Sequence, residues 1–203
     1  MRVLVVLGHP TGPSLNRDIA ERAVQSLRTN GHEVIFHDLY AEGFDPIMTA
    51  EEAAGEPATD PAIRRYADEL TEADGIVIVH PNWWGMPPAM MKGWIDRAFR
   101  PGCAYAFEGT AGEIGRPVGL LKAATVLIFN TENSTEEMER EYFGDPLDAL
   151  WKKNIFGLCG AREIYRRMFH GVLMSTPEIR EAWLAEVEET VDRFFPVGAR
   201  QAA

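Results

Sequence analysis

Residues 3–7, Val-Leu-Val-Val-Leu, form an unbroken apolar run. Strands buried on both faces of a parallel sheet read this way. The pattern breaks over 8–13, and from Ser14 the period becomes helical, with Leu15, Ile19, Ala23, Val24 and Leu27 on one face. Ser14 is a natural N-cap, and Asn30-Gly31 a natural stop, because glycine tolerates the left-handed conformation past a helix end. A second strand is expected over 33–39. The acidic, irregular stretch 40–57 reads as a surface excursion, being too long for an ordinary connection. A helix follows from Asp60-Pro61 through Leu70, with proline in its first turn. A third strand, 76–79, leads to a helix over 88–99. The glycine-containing stretch 100–117 then precedes a fourth strand, 123–129. Two helical segments, 135–142 and 146–154, come before a short fifth strand, 163–168, and a closing amphipathic helix, 176–194. The tail 200–203 is expected to fray. Strand and helix alternate throughout, which implies a parallel sheet with helices on both faces.

Composition narrows the class. A chain of 203 residues suits one domain, 1–203, with a substantial core. The formal net charge of −11 argues against a nucleic-acid partner, which needs a basic surface. Cys103 and Cys159 are too far apart in sequence for a zinc or thiol-redox motif and read as small core hydrophobes. No run approaches the roughly 20 apolar residues of a membrane span, and 3–7 is too short for a signal-peptide core. The expectation is a cytoplasmic protein without membrane insertion and without a metal site.

Three loops carry candidate chemistry. Gly8-His9-Pro10-Thr11-Gly12-Pro13-Ser14-Leu15-Asn16 joins the first strand to the first helix. It matches neither the dinucleotide fingerprint nor the lysine-containing phosphate loop. It does bring hydroxyls, a histidine and an asparagine to a helix N-terminus, where free N–H groups bind phosphate; Ser14 serving only as a cap is an equally good reading. Pro81-Asn82-Trp83-Trp84-Gly85 follows the third strand and is stiffened by prolines. Its backbone could read the rim of a planar heterocycle, although two tryptophans taken alone are more simply buried aromatics. Asn130-Thr131-Glu132-Asn133 follows the fourth strand and taken alone reads as an Asx-type turn. In a sheet of order 2-1-3-4-5 all three loops converge on one crevice, the switch point at which FMN binds.

These residues also resemble the flavodoxin-like NAD(P)H:quinone oxidoreductase family of DT-diaphorase and modulator-of-drug-activity type. The similarity rests on Val3-Leu4-Val5-Val6-Leu7-Gly8-His9 with Ser14-Leu15-Asn16, on His37-Asp38-Leu39-Tyr40 with Phe44-Asp45-Pro46, and on Trp84 and Pro88-Ala89 with Lys92-Gly93-Trp94-Ile95-Asp96-Arg97. Cys103-Ala104-Tyr105-Ala106-Phe107 and Phe156-Gly157-Leu158-Cys159-Gly160 extend it to about residue 176. The resemblance implies a flavodoxin-like doubly wound sandwich around a five-stranded parallel sheet. His9, Ser14, Leu15 and Asn16 would hold the phosphate and ribityl chain of FMN, with FAD the alternative. Pro81, Asn82, Trp83, Trp84 and Gly85 would line the isoalloxazine, and Asn130, Thr131, Glu132 and Asn133 its pyrimidine end. Tyr105 and Phe107 would bind substrate, reaching a partner's site in a homodimer.

Departures from the family have expected consequences. Glu132 and Asn133 stand where the family often has two glycines. A carboxylate facing a reduced flavin would be unfavourable, so Glu132 is expected to point outward while its N–H serves the ligand. Gly85 replaces a bulky aromatic and is expected to open the pocket to larger acceptors. His80 replaces an apolar residue, and no catalytic residue is assigned. The implied activity is two-electron transfer from NADH or NADPH through the flavin to a small quinone-like acceptor. The competing readings are a flavodoxin-type electron carrier and a regulatory ancillary subunit of a potassium efflux system.

Overall fold

The computed structural model describes residues 1–10, 12–109 and 115–199. Thr11, the middle of the 100–117 stretch and the tail 200–203 lie outside them. In chain order the first elements are β1 (Arg2–Leu7), α1 (Leu15–Thr29), β2 (Glu33–Asp38), α2 (Ala50–Ala53), α3 (Pro61–Glu72), β3 (Gly75–Pro81) and α4 (Ala89–Ala98). They are followed by β4 (Tyr105–Glu108), β5 (Arg116–Gly119), β6 (Thr125–Thr131), α5 (Glu136–Met138), α6 (Pro146–Ala149), β7 (Glu163–Phe169) and α7 (Pro177–Phe194). Strands β2-β1-β3-β6-β7 form one sheet in that order, every neighbouring pair parallel. With the short β4–β5 hairpin set aside, this is the expected 2-1-3-4-5 order.

The apolar runs are continuous because both faces of the sheet are covered. Leu4, Val6, Ile76, Ile78, Val126 and Ile128 pack on one side with Ile63, Leu70, Trp94 and Trp151. Val3, Val5, Leu7, Val77, Val79, Leu127 and Phe129 pack on the other with Ile19, Leu27, Val187 and Val191. Burying each such side chain stabilises the fold by about 1.5–3 kcal/mol, which makes the sheet a rigid frame for the loops at its carboxyl edge. Among the described residues, no helix is long and apolar enough to cross a membrane.

Several elements differ from the sequence expectation. β6 runs on through Asn130 and Thr131, which pair with His80 and Pro81 on one side and with Met168 and Phe169 on the other. Both were expected in a loop. The two segments expected as helices after β6 begin as α-helix and continue as π-helical turns, Glu139–Phe143 and Leu150–Ile155. The 100–117 stretch opens the antiparallel β4–β5 hairpin, which ends at Gly119 and is unmarked because Arg-Pro-Val-Gly is a poor strand sequence. The 40–57 excursion contains α2, nucleated by a capping box between Thr49 and Glu52.

Candidate functional site

Three strand ends meet where β1, β3 and β6 lie side by side. Asn16, in the first turn of α1, donates from Nδ2 to Thr131 Oγ1 at 2.9 Å. The Asn82 N–H donates to the Thr131 carbonyl at 2.7 Å, and the Gly8 N–H to the Val79 carbonyl at 2.9 Å. The first, second and third loops are therefore one contiguous edge. Two acceptors on it, Asn16 Oδ1 and Asn82 Oδ1, are buried and take no hydrogen bond among the described residues. A buried acceptor left so costs about 1–3 kcal/mol, so the edge suits a ligand that carries donors. Ser14 caps α1 by accepting from the Arg17 N–H at 3.2 Å, which leaves other N–H groups of that turn without intrahelical partners.

Between β3 and α4 the chain reverses in a two-residue hairpin. Trp83 and Met86 exchange backbone hydrogen bonds at 3.0 Å in both directions. Trp84 and Gly85 form the turn with φ of 58° and 72°, the pair of positive values that a tight type I′ turn needs. Such a φ is strained for tryptophan and is commonest at ligand clamps. The strain holds the Trp84 indole fully in solvent, and Trp83 is also largely exposed, so the pair is not core. Beside this turn lies a cavity of about 490 Å³, lined by Asn82, Trp84, Gly85, Glu132, Asn133, Ser134, Glu139, Tyr142, Phe143 and Pro146.

Gly85 does not act as an open slot. A Cβ there would lie 2.6 Å from Pro146 Cγ, and its φ is already left-handed. Glycine serves the turn and the packing of α6 against it. Gly85→Ala is expected to destabilise the protein by about 1–3 kcal/mol. Urea unfolding checks this, and an unchanged midpoint with unchanged slope would refute it.

Of the residues singled out in the sequence, Asn82, Trp84, Gly85, Glu132 and Asn133 line this cavity. Ser14, Leu15 and Asn16 stand next to it through the Asn16–Thr131 bond, and His9 lies in the same first loop. Trp83 supports the turn from outside the cavity. Leu15, Pro81 and Thr131 are buried, so any part they take is through the backbone or through Thr131 Oγ1. The Asn130 side chain faces inward: Nδ2 reaches His80 Nε2 at 3.0 Å and Oδ1 accepts from Arg166 Nε at 2.7 Å. Glu132 also corrects the expectation. Its N–H donates to the Phe169 carbonyl at 3.0 Å, and its buried carboxylate accepts from Asn82 Nδ2 and His170 Nδ1, each at 2.6 Å. Two donors on a buried carboxylate offset its desolvation. Tyr105 and Phe107 sit on β4 beside a different cavity of about 380 Å³, which they line with Met48, Phe99 and Leu158. Within one chain they do not meet the crevice.

Sequence reasoning missed Arg17, Glu139 and His170, and set Tyr142 aside as out of register. Arg17 donates from Nε to the Gly12 carbonyl at 2.9 Å and pairs with Asp38, so a cation is held beside the first loop. A basic residue in the first turn opposes the helix dipole, and that was the available signal. Tyr142 and Glu139 reach the crevice because a π turn shifts their register, which the pattern of a regular helix cannot show.

Comparison with known proteins agrees with this geometry. A family model described as a flavodoxin-like fold matches residues 1–193. An uncharacterized NAD(P)H oxidoreductase of Haemophilus influenzae is 32% identical over 188 residues, 91% of each chain. NAD(P)H dehydrogenase [quinone] 1 of Cavia porcellus is 27% identical, covering 96% of this chain and 77% of the relative. The crystal structure of Smu.1420 from Streptococcus mutans superposes with a TM-score of 0.80 at 27% identity, over 95% of this chain and 100% of that one. With the sheet order, the crevice at its switch point and the match over nearly the full length, the chain belongs to the flavodoxin-like NAD(P)H:quinone oxidoreductase family.

Proposed function

We propose that the crevice binds FMN and that the protein reduces quinones or similar planar acceptors with NADH or NADPH. The observation that carries this is the convergence of three loops around two unsatisfied acceptors, Asn16 Oδ1 and Asn82 Oδ1, beside a turn that holds an indole over a cavity. A flavin mononucleotide suits that set: its phosphate matches the N-terminus of α1 with Ser14 and Arg17, and its hydroxyl and ring N–H donors match the asparagines. Trp84 and the backbone of Asn82 to Gly85 would hold the ring. When bound, the flavin supplies hydride acceptance from the nicotinamide and hydride return to the acceptor. The protein's part is to orient ring and acceptor, exclude water and manage protons. Space beside Trp84 and Tyr142 for a small planar molecule favours an enzyme over a carrier that passes electrons to a protein.

The β4–β5 hairpin supports a homodimer. Phe107 is exposed, as are Ile47, Trp83 and Met86, each an apolar side chain that a second copy would cover. Tyr105 and Phe107 of one copy would then complete the partner's crevice. Cys103 and Cys159 are unpaired thiols, which supports reading the protein as one of a reducing compartment such as the cytoplasm.

The test is titration of the purified protein with FMN, FAD and riboflavin, followed by addition of NADH and then NADPH. FMN should bind and bleach on reduction, and Arg17→Ala should weaken FMN by about tenfold or more, as expected for a lost charge-assisted hydrogen bond, with riboflavin unaffected. A protein that binds no flavin would overturn the reading.

A further inference from the structure

The crevice floor carries a cluster of acids that ring binding does not use. Glu132 accepts from two donors, Asn82 Nδ2 and His170 Nδ1, one on each oxygen. Glu139 opens the π turn, lines the same cavity and is buried, yet among the described residues no N–H or O–H reaches its Oε1. Glu132 lines the same cavity, and hydrogen bonding between the two side chains is among the causes that raise the Glu139 carboxyl. Two carboxyl groups in contact hydrogen-bond only when one carries a proton, and Glu132 is already committed as an acceptor. The other charged groups are accounted for. Asp145 is bonded to Arg166 Nη1 at 2.7 Å, Arg140 is exposed and pairs with Glu141 at 3.7 Å, and His170 faces Glu132.

Resting on the quinone-reductase reading, we propose that Glu139 is the general acid of the reaction: it keeps a proton at the crevice floor and gives it to the acceptor. A quinone-type acceptor that takes a hydride, two electrons and one proton derived from NADH or NADPH, becomes an oxyanion at the opposite oxygen. The Glu139 O–H bond breaks and an O–H bond forms at that oxygen, giving the neutral hydroquinone. The two carboxylates left in contact repel, and the pair regains one proton from solvent through His170, whose ring is partly exposed and bonded to Glu132. Burial, reinforced by the charges of Glu132 and Asp145, pushes the Glu139 carboxyl above the usual range, the direction a donor at neutral pH requires.

The first measurement is the infrared spectrum of the purified protein at neutral pH, without added flavin. Wild type should show a carboxylic-acid C=O band that Glu139→Gln lacks. Glu132→Gln, which removes the neighbouring charge, should make that band titrate away at lower pH. The second is stopped-flow reoxidation of the reduced holoprotein. Glu139→Gln should slow a quinone by about 10²-fold or more, and Glu139→Asp should recover part of that. Ferricyanide takes electrons without protons and should be unaffected. A neutral-pH band unchanged in Glu139→Gln, or equal slowing of both oxidants, would overturn the proposal. Failure to bind flavin would defeat the functional reading alone, because the infrared arm still decides where the proton sits. If Glu139→Gln does not fold, the band in Glu132→Gln decides: no shift in its titration refutes the shared proton.

Discussion

Arg97→Ala is expected to lower folding stability by about 3–5 kcal/mol, among the largest losses any single substitution should produce here. Arg97 lies on α4 with its side chain 3% exposed and meets Glu52, 4% exposed, in a two-pronged pair of 2.9 and 3.0 Å. Its Nη1 also donates to the Asp45 carbonyl at 2.7 Å. Truncation leaves Glu52 as a buried charge without its counter-ion and the Asp45 carbonyl without its donor. The loss belongs to those stranded groups rather than to the ion pair as such. Arg97→Met combined with Glu52→Leu should therefore recover most of it. Urea unfolding of both variants separates the two accounts, and a double variant no better than Arg97→Ala would reject this one. The hydrogen bonds from Arg97 hold the Glu52 carboxyl below its usual range. Its folded value lies beneath the unfolded value of about 4.3. The contribution of this carboxylate is thus complete above that pH and is lost as pH falls through the lower, folded value.

That ion pair shows why 40–57 looked irregular in the sequence. The stretch has no apolar period of its own. It is held by Arg97, and by Pro46 lying so close to α4 that a Cβ on Gly93 would come within 2.3 Å of it. Long-range tethers of this kind leave no local mark. The sheet was legible for the opposite reason: its strands are buried on both sides, so composition alone marks them, and alternation with helices leaves few ways to order them. The ends of β3 and β6 were misjudged because polar His80, Asn130 and Thr131 look like loop residues, whereas they pair in the ladder and satisfy one another.

The site was legible to the extent that it is made of backbone. Loops after parallel strands must converge at a switch point, whatever their side chains. Side-chain direction was not legible. Glu132 was expected outward on the ground that a carboxylate in a ligand crevice is unfavourable. His170, 38 residues downstream, and Asn82, from another loop, donate to it and make an inward carboxylate tolerable. The role of Gly85 was also misread. An absent side chain looks like space in a sequence, but here the space is filled by Pro146.

Acidification from pH 6.5 to 4 is expected to remove about 3 kcal/mol of stability through His80 alone. This histidine is wholly buried, and burial lowers its pKa from 6.5 to about 4, with the positive charge of Arg166 acting in the same direction. The geometry fixes the neutral tautomer. Nδ1–H donates to the Pro81 carbonyl at 2.8 Å, and Nε2 accepts from Trp151 Nε1 and Asn130 Nδ2, both at 3.0 Å. A proton on Nε2 would face two donors and leave Trp151 Nε1 without its acceptor, with Asn130 Nδ2 keeping only the His80 carbonyl at 3.1 Å. Because the folded value lies below the unfolded one, the unfolded chain binds the extra proton first, and stability falls as pH drops between the two values. The slope approaches about 1.4 kcal/mol per pH unit within that window. Carboxylates titrate over part of the same range, so the measurement is a difference. Urea unfolding of wild type and of His80→Gln, whose amide oxygen can still accept from Trp151, is followed from pH 7 to 4. Wild type should lose about 3 kcal/mol more than the variant, mostly below pH 6. Parallel pH profiles would show that His80 is protonated in the fold at no penalty, and the hydrogen-bond chain from Asp145 through Arg166 and Asn130 to Trp151 would then have to rearrange around a cation. That outcome bears on the crevice as well, since Asn130 and Pro81 share the ladder that carries Asn82 and Glu132 to its edge.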